Sequence, residues 1–520
     1  MWQKKLNRFF INYWPFLLSA FFWILLTLPS FFGTHVLNNL EPYPDSLYYL
    51  GRARQFVFTG QFKLIYQDTH AAATVSPVYS IFLIPFFLIK TTPQIFVLAN
   101  LWAAILTLFI IYSLVKKQTK SHLAAGISLL IISTHLSLIW FVSLPMVEIF
   151  ALSLLATCIY FLFHQKLLAK QLVVLSLLLL ALILTKYLYV SIVAACALIT
   201  LAKLFRDKQF QLLRITLGTG FIGCIFLLLY FQKVAYNPFD IFSYLFKPNL
   251  NYTRFYDFAN LIPNFTFYLN VFLGQHVNLL WEKTVLSSAG MLLLFIWSLI
   301  KLWQRQTTRI LSLSLGLIFL SLFPIVLLFI TTDARYIIFA PVIMALAIGL
   351  AWPLFQGKQK YWFNGLLTLA LTWQFATQLP LLKTIVSQNV LHRSTAWQYE
   401  AIITFNDQFL TLKENYLITS LPPFFVDFYD NNNYRVLPLS KKQEFINKGQ
   451  WVWGNDLKND NLENLYNELL ANKNQIFISN AYVTHSHEVT ADFENLKKSY
   501  DFILVQEGCA GACNIYQLTN

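Results

Sequence analysis

The stretch GTHVLNNLEPYPDSLYYLGRARQFVFTGQFKLIYQDTHAAATVS, residues 33–76, decides how the rest of the chain is read. It holds Glu41, Asp45, Arg52, Arg54, Asp68 and His70, while the apolar segments on either side are nearly free of charge. In a membrane chain, a long polar loop with acids and bases is where recognition or chemistry concentrates. The surrounding apolar runs read as a scaffold that holds this loop at a bilayer surface.

Working outward, 57% of the 520 residues are hydrophobic and only 12% are charged. Soluble domains carry about 25% charged residues, and the mean hydropathy here is +0.55. The deficit of charge lies before residue 383, where apolar runs alternate with short basic patches. That is the pattern of a polytopic helical membrane protein. The formal net charge of +14 therefore reflects lysines and arginines in the short loops between spans, and no nucleic acid is expected as a partner.

The basic start (Lys4, Lys5, Arg8) is expected to stay cytoplasmic, and the first span, about 14–32, has no small-residue cleavage site and reads as retained. The loop at 33–76 then lies outside. Apolar runs at 77–89 and 93–115 end at Lys116, Lys117 and Lys120; the first is short, so one bent crossing, or one crossing plus a short embedded piece, is expected there. Further runs follow at 122–141, 145–163, 171–185, 188–204, 210–232, 284–300, 310–331, 336–355 and 361–380. The total is about eleven spans, with twelve or thirteen also open. A second outer loop, 233–283, is rich in Phe, Tyr and Asn, as suits a membrane interface.

From residue 383 the long apolar runs stop, which divides the chain into a membrane domain, 1–382, and an extracytoplasmic domain, 383–520. Strand candidates at 416–420, 434–439, 475–480, 501–506 and 514–518 alternate with helical segments near 396–413, 459–472 and 489–498, which predicts a small α/β domain. Cys158, Cys196 and Cys224 lie in apolar runs and read as small buried or lipid-facing residues, whereas Cys509 and Cys513, in GCAGAC, are a candidate disulfide. The Asn-x-Thr sequences at Asn251 and Asn264 read as chance matches. No Walker loop, no GxGxxG and no zinc-type cluster is present.

Within this frame several short motifs occur in order. They are Pro44-Asp45-Ser46-Leu47-Tyr48-Tyr49-Leu50-Gly51-Arg52-Ala53-Arg54, then Thr59-Gly60, Ser76-Pro77-Val78-Tyr79, Leu144-Pro145-Met146-Val147-Glu148, Thr185-Lys186-Tyr187, and Arg335-Tyr336 with Pro341 downstream. Their order and common expected side resemble the GT-C membrane glycosyltransferases, in particular the branch with the protein O-mannosyltransferases and the lipid A aminoarabinose transferase. The resemblance covers about residues 1–380. Many members of that family carry two adjacent acids in the first loop; this chain has Asp45, with Glu41 four residues earlier.

The resemblance implies a polyprenyl-phosphate sugar as donor and a glycan, lipid or protein as acceptor, and the Lys-, Asn- and Phe-rich composition points to a bacterial inner membrane. No cofactor is required by the motifs, and a divalent metal stays open. The reaction needs a general base for the acceptor hydroxyl and cations for the leaving phosphate. Asp45 is the expected base, although Pro-Asp-Ser-Leu is also a helix N-cap pattern. Glu148, an acid beside an apolar run, joins the catalytic set, since such acids are costly unless they function. Lys186 and Arg335 are expected on the donor phosphate; the alternatives are a snorkelling lysine and an ion pair with Asp333. Glu41, Tyr48, Arg52, His70 and Tyr336 complete the expected substrate-binding set, with ordinary loop roles as the alternative for Glu41, Arg52 and His70. A transporter or lipid flippase is the competing class. It should place ionisable residues within spans, whereas here they cluster at span ends and in outer loops.

Overall fold

The computed structural model describes residues 2–32, 44–60, 77–90, 94–163, 167–235, 258–273, 289–328, 334–391, 415–419, 436–439, 444–447, 450–453, 462–472, 474–480, 483, 487–507, 511 and 514–519. Two compact units divide the chain. The first comprises Met1–Phe32, Ser76–Phe82 and Phe96–Leu391, and the second Gly33–Val75, Leu83–Ile95 and His392–Asn520.

The helices are α1 (Trp2–Thr27), α2 (Pro44–Thr59), α3 (Pro77–Phe87), α4 (Ile95–Thr119), α5 (His122–Ser133), α6 (Leu136–Val142), α7 (Glu148–Leu162), α8 (Ala169–Ile183), α9 (Val190–Arg206) and α10 (Phe210–Ala235). They continue with α11 (Leu261–Leu273), α12 (Ala289–Gln304), α13 (Arg309–Leu320), α14 (Phe323–Leu328), α15 (Phe339–Ala351) and α16 (Gly357–Ile385). Among the described residues, three helical stretches are long and apolar enough to cross a membrane, Asn12–Phe32, Ile95–Thr119 and Phe210–Leu227, and α5 with α6 adds a fourth if that bent pair is one span. Six more apolar helices among the described residues have 10–17 residues. Large apolar side chains such as Trp102, Leu177, Phe221 and Leu369 are exposed on these helices, as suits a bundle whose outer surface meets lipid.

Several expected runs are interrupted. The stretch at 77–115 splits into the short α3 and the long α4. The run at 122–141 breaks after Ser133 and bends by 68° between α5 and α6. With no water in a bilayer core, the amides freed by such a break need side-chain partners. A buried glutamine of α16 supplies one: Gln378 Oε1 accepts from the Leu136 N–H, while the neighbouring buried Gln374 donates through Nε2 to Thr134 Oγ1 at 2.9 Å and to the Ile131 carbonyl at 3.4 Å. The run at 310–331 is likewise interrupted, at Ser321 and Leu322, between α13 and α14. Within the second expected outer loop lies α11, where Asn264 is buried and donates to the carbonyls of Val326 and Leu327, both at 3.1 Å.

At the centre of the first unit, every residue of α15 is buried. Its Ala345 and Gly349 let it approach α5 closely, and Ser128 Oγ donates to Ala345 O at 2.9 Å. A Cβ on Gly349 would meet Ser128 Oγ at 1.8 Å and the Ala124 carbonyl at 2.9 Å. Gly349→Ala is therefore expected to destabilise the bundle by about 1–3 kcal/mol through overpacking. Thermal unfolding in detergent measures this, and Ser128→Ala in the same chain should recover part of the loss; an unchanged midpoint for Gly349→Ala sinks the packing argument.

The second unit holds the predicted α/β part. Strands β1 (Asn415–Thr419), β2 (Val436–Pro438), β5 (Gln475–Ser479), β6 (Asp501–Gln506) and β7 (Ile515–Thr519) form one sheet in the order β2-β1-β5-β7-β6. Here β1 runs parallel to β2 and β5, while β7 runs antiparallel to β5 and β6. A hairpin not expected from the sequence, β3 (Glu444–Asn447) with β4 (Gln450–Trp453), stands beside it in chain order. Helices α17 (Leu462–Ala471) and α18 (His487–Ser499) close a core of Ile418, Tyr466, Ile478, Phe493 and Leu518. Burial holds the Tyr466 phenol well above its ordinary pKa. Asn480, at the end of β5, donates to Gly511 O at 2.9 Å and accepts from Asn514 N at 2.6 Å, and Gly511 takes a φ of +91°. The candidate disulfide residues Cys509 and Cys513 lie outside the described residues.

Candidate active site

Two turns of the first unit bring opposite charges together. The first turn follows α6: Met146 N bonds Leu144 O at 2.8 Å, and the chain re-enters a helix with Glu148 as the first residue of α7. A carboxylate in a first helical turn is favoured by the partial positive charge of the free amides. The second turn follows α8. Thr185 Oγ1 donates back to Ala181 O at 2.7 Å, and Tyr189 N bonds Lys186 O at 3.0 Å, which leaves the Lys186 side chain at the corner.

Lys186 Nζ donates to Glu148 Oε1 at 2.8 Å. The carboxylate side chain is fully sealed, at 0% exposure, whereas the lysine side chain keeps 18%. Lys186 Nζ also stands 5.0 Å from the centre of the Tyr336 ring, on the short helical turn Ala334–Ile337. Tyr336 is itself buried among Tyr268, Val326 and Ile337. The cation is thus held by a carboxylate and an aromatic face, with the ammonium the more reachable partner. A sealed acid behind a partly open base is suited to receiving an anion at the base.

The backbone around this pair is clamped by polar residues inside apolar segments. Tyr79 Oη donates to Asn100 Oδ1 at 2.8 Å, and Asn100 Nδ2 donates to Leu144 O at 2.7 Å and Val142 O at 3.3 Å. Tyr79 belongs to the Ser76-Pro77-Val78-Tyr79 motif, whereas Asn100, His135, Gln374 and Gln378 belong to none of the sequence motifs. The signal that finds them is an isolated polar residue within an apolar run. His135 lies at the α5–α6 break, fully buried.

Of the other expected site residues, Asp45, Tyr48 and Arg52 lie on α2 in the second unit, at spacings of three and four residues that put them on one helix face. Asp45 is the second residue of that helix, after Pro44. Arg52 is buried. Arg335 belongs to the same turn as Tyr336, and its side chain is outside the described set, as are those of Asp45 and Tyr48. Glu41 and His70 lie outside the described residues altogether. Among the described residues, no three His, Cys, Asp or Glu side chains are grouped to hold a metal ion.

No family model matches the chain, and no curated protein matches it. Among solved structures, ArnT from Cupriavidus metallidurans in the apo state is similar over 99% of this chain and 98% of its own, at 12% identity and a TM-score of 0.61. ArnT from the same organism bound to undecaprenyl phosphate is similar over 96% of this chain and 97% of its own, at 11% identity and a TM-score of 0.61. The likeness runs over nearly the whole chain and shows the fold: a polytopic helical bundle with a small C-terminal sheet domain, as the GT-C resemblance implied.

Proposed function

We propose that the chain is a membrane glycosyltransferase that moves a sugar from a polyprenyl-phosphate donor to a hydroxyl of an envelope glycan, lipid or protein. The observation that carries this reading is the partly open Lys186 held on the sealed Glu148 beside Tyr336. It is supported by the fold shared with a protein solved bound to undecaprenyl phosphate. In this reading Lys186 receives the donor phosphate, with Arg335 as a second cation, and the Tyr336 ring flanks the lysine. Glu148 acts through Lys186 by keeping it aimed.

The chemistry is a direct displacement. The acceptor oxygen forms a bond to the anomeric carbon as the bond from that carbon to the phosphate oxygen breaks. The electron pair leaves on polyprenyl phosphate, whose growing charge Lys186 stabilises. From the resemblance carried by the motif at residues 44–54, we assign the acceptor proton to the Asp45 carboxylate. Arg52, Tyr48, Glu41 and His70 contribute donor or acceptor contacts from the same polar loop. We place the enzyme in a bacterial inner membrane with its N-terminus cytoplasmic and its C-terminal domain outside.

A second reading, a transporter or flippase, draws on one observation: the broken α5–α6 pair with buried His135 at its corner. One experiment separates the two. Purified protein is given labelled polyprenyl-phosphate sugars and a membrane extract. Transfer of label with matching release of polyprenyl phosphate is the expected result. No turnover of any donor, with lipid or solute crossing proteoliposome membranes instead, would establish the transporter.

A further inference from the structure

Glu148 and Lys186 are 38 residues apart, on two separate turns, yet their charged atoms meet at 2.8 Å. Something must hold both turns in one register. The first turn of α3 reaches the Lys186 turn directly and the Glu148 turn through Asn100 of α4. Val78 N donates to Leu184 O at 3.3 Å, two residues before Lys186. Tyr79 Oη donates to Asn100, and Asn100 donates to the carbonyls of Val142 and Leu144, four residues before Glu148. One helical turn further, the Phe82 ring stacks on Phe150 at 4.2 Å, in the first turn of α7. Tyr79 and Asn100 are both at 0% exposure.

We propose that Tyr79 and Asn100 are positioning residues that set the distance between Glu148 and Lys186 and so the aim of the Lys186 ammonium; the part of this inference that concerns the donor rests on the function proposed above. The physical argument is one of cost. Tyr79 and Asn100 place a phenol and an amide inside an apolar bundle, where each must be fully hydrogen-bonded to be tolerated. Their bonds run to a turn carbonyl outside any regular helix ladder, the one kind of group whose position the helices themselves do not determine. Removing the phenol oxygen leaves Asn100 Oδ1 without that donor and the Leu144 turn held by a freer amide. Displacement of a positioned charge by about 1 Å is enough to cost on the order of a hundredfold in a displacement reaction.

The test uses the full-length protein in detergent, with Tyr79→Phe, which keeps the ring packing, and Asn100→Leu as a second variant. Two readouts are taken. The first is the rate at which Lys186 is acylated by an amine-directed reagent, followed by mass spectrometry. Both variants should raise it about tenfold, the size expected for losing one buried hydrogen bond. Ser128→Ala, which removes a bond between α5 and α15 in the same unit, should leave it at the wild-type rate. The second readout is the affinity for polyprenyl phosphate alone. Wild type should bind, Lys186→Met should bind about ten- to a hundredfold more weakly, and Lys186→Met should add little in the Asn100→Leu background because the two act as one unit.

Unchanged Lys186 labelling in both variants overturns the positioning role, as does an equal rise in Ser128→Ala at matched thermal stability. Effects on affinity that simply add overturn the coupling to the donor. A wild type that binds no polyprenyl phosphate, while the labelling still responds to Tyr79→Phe, removes the donor reading and leaves the positioning role standing.

Discussion

Asp45→Asn is expected to lose sugar transfer by about two to four orders of magnitude, the range over which a positioned general base acts. The substitution changes almost no volume. It keeps two hydrogen-bonding atoms at the same place and removes only the capacity to take a proton. Asp45 stands in the first turn of α2, one residue after Pro44, so an asparagine there leaves the helix start intact. The helix should lose a few tenths of a kcal/mol, up to about 1, because a first-turn carboxylate favours the free amides. A large loss of rate at nearly unchanged melting temperature and unchanged affinity for polyprenyl phosphate is therefore the signature of the base. Initial rates of polyprenyl phosphate release at saturating donor provide the measurement. Equal rates in the two proteins would take Asp45 out of the mechanism and turn attention to Glu41.

Lys186→Met should fail in two ways at once, and the two can be separated. The first is catalytic: the phosphate loses its cation, and transfer should fall at least about a hundredfold, as for other preorganised charges at a reacting centre. The second is structural. Glu148 is sealed at 0% exposure, so removing its partner leaves a buried carboxylate uncompensated. Breaking a buried pair from one side costs about 3–5 kcal/mol. Adding Glu148→Gln removes the stranded charge, so the double variant should regain most of the stability while its transfer stays low. Glu148→Gln alone leaves the lysine partly open to water, at 18% exposure, and should cost less stability than Lys186→Met. Thermal unfolding of the four proteins, with transfer assayed on each, completes a double-mutant cycle. A double variant as unstable as Lys186→Met would mean that the pair is not what the bundle depends on at this corner.

Much of the architecture was legible because hydropathy and turn chemistry act locally. The strands at 416–420, 475–480 and 501–506 fall on β1, β5 and β6, since short β-rich runs between polar segments have few other options. The β3–β4 hairpin escaped because Glu444, Asn447 and Gln450 dilute the alternation in its short strands. The breaks at 134–135 and 321–322 escaped for a different reason. Hydropathy counts apolar residues and does not register whether their amides stay in one helix. At the site, Glu148 and Lys186 stood out singly as charges next to apolar runs. Their pairing, and the clamp from Tyr79 through Asn100, depends on contacts over 21 to 44 residues, which no local pattern encodes.

The corner between α5 and α6 has a consequence for the time course of biogenesis. The Leu136 amide is accepted by Gln378, which lies 242 residues later in the chain. Translation at about 5–20 residues per second puts roughly 12–48 s between the emergence of the two. Over that interval the nascent chain carries an incomplete bend whose finishing piece has yet to be made. The last long helix of the first unit is thus a closing element, and quality control that surveys polar groups left open among lipids has its clearest target in this bend until α16 arrives.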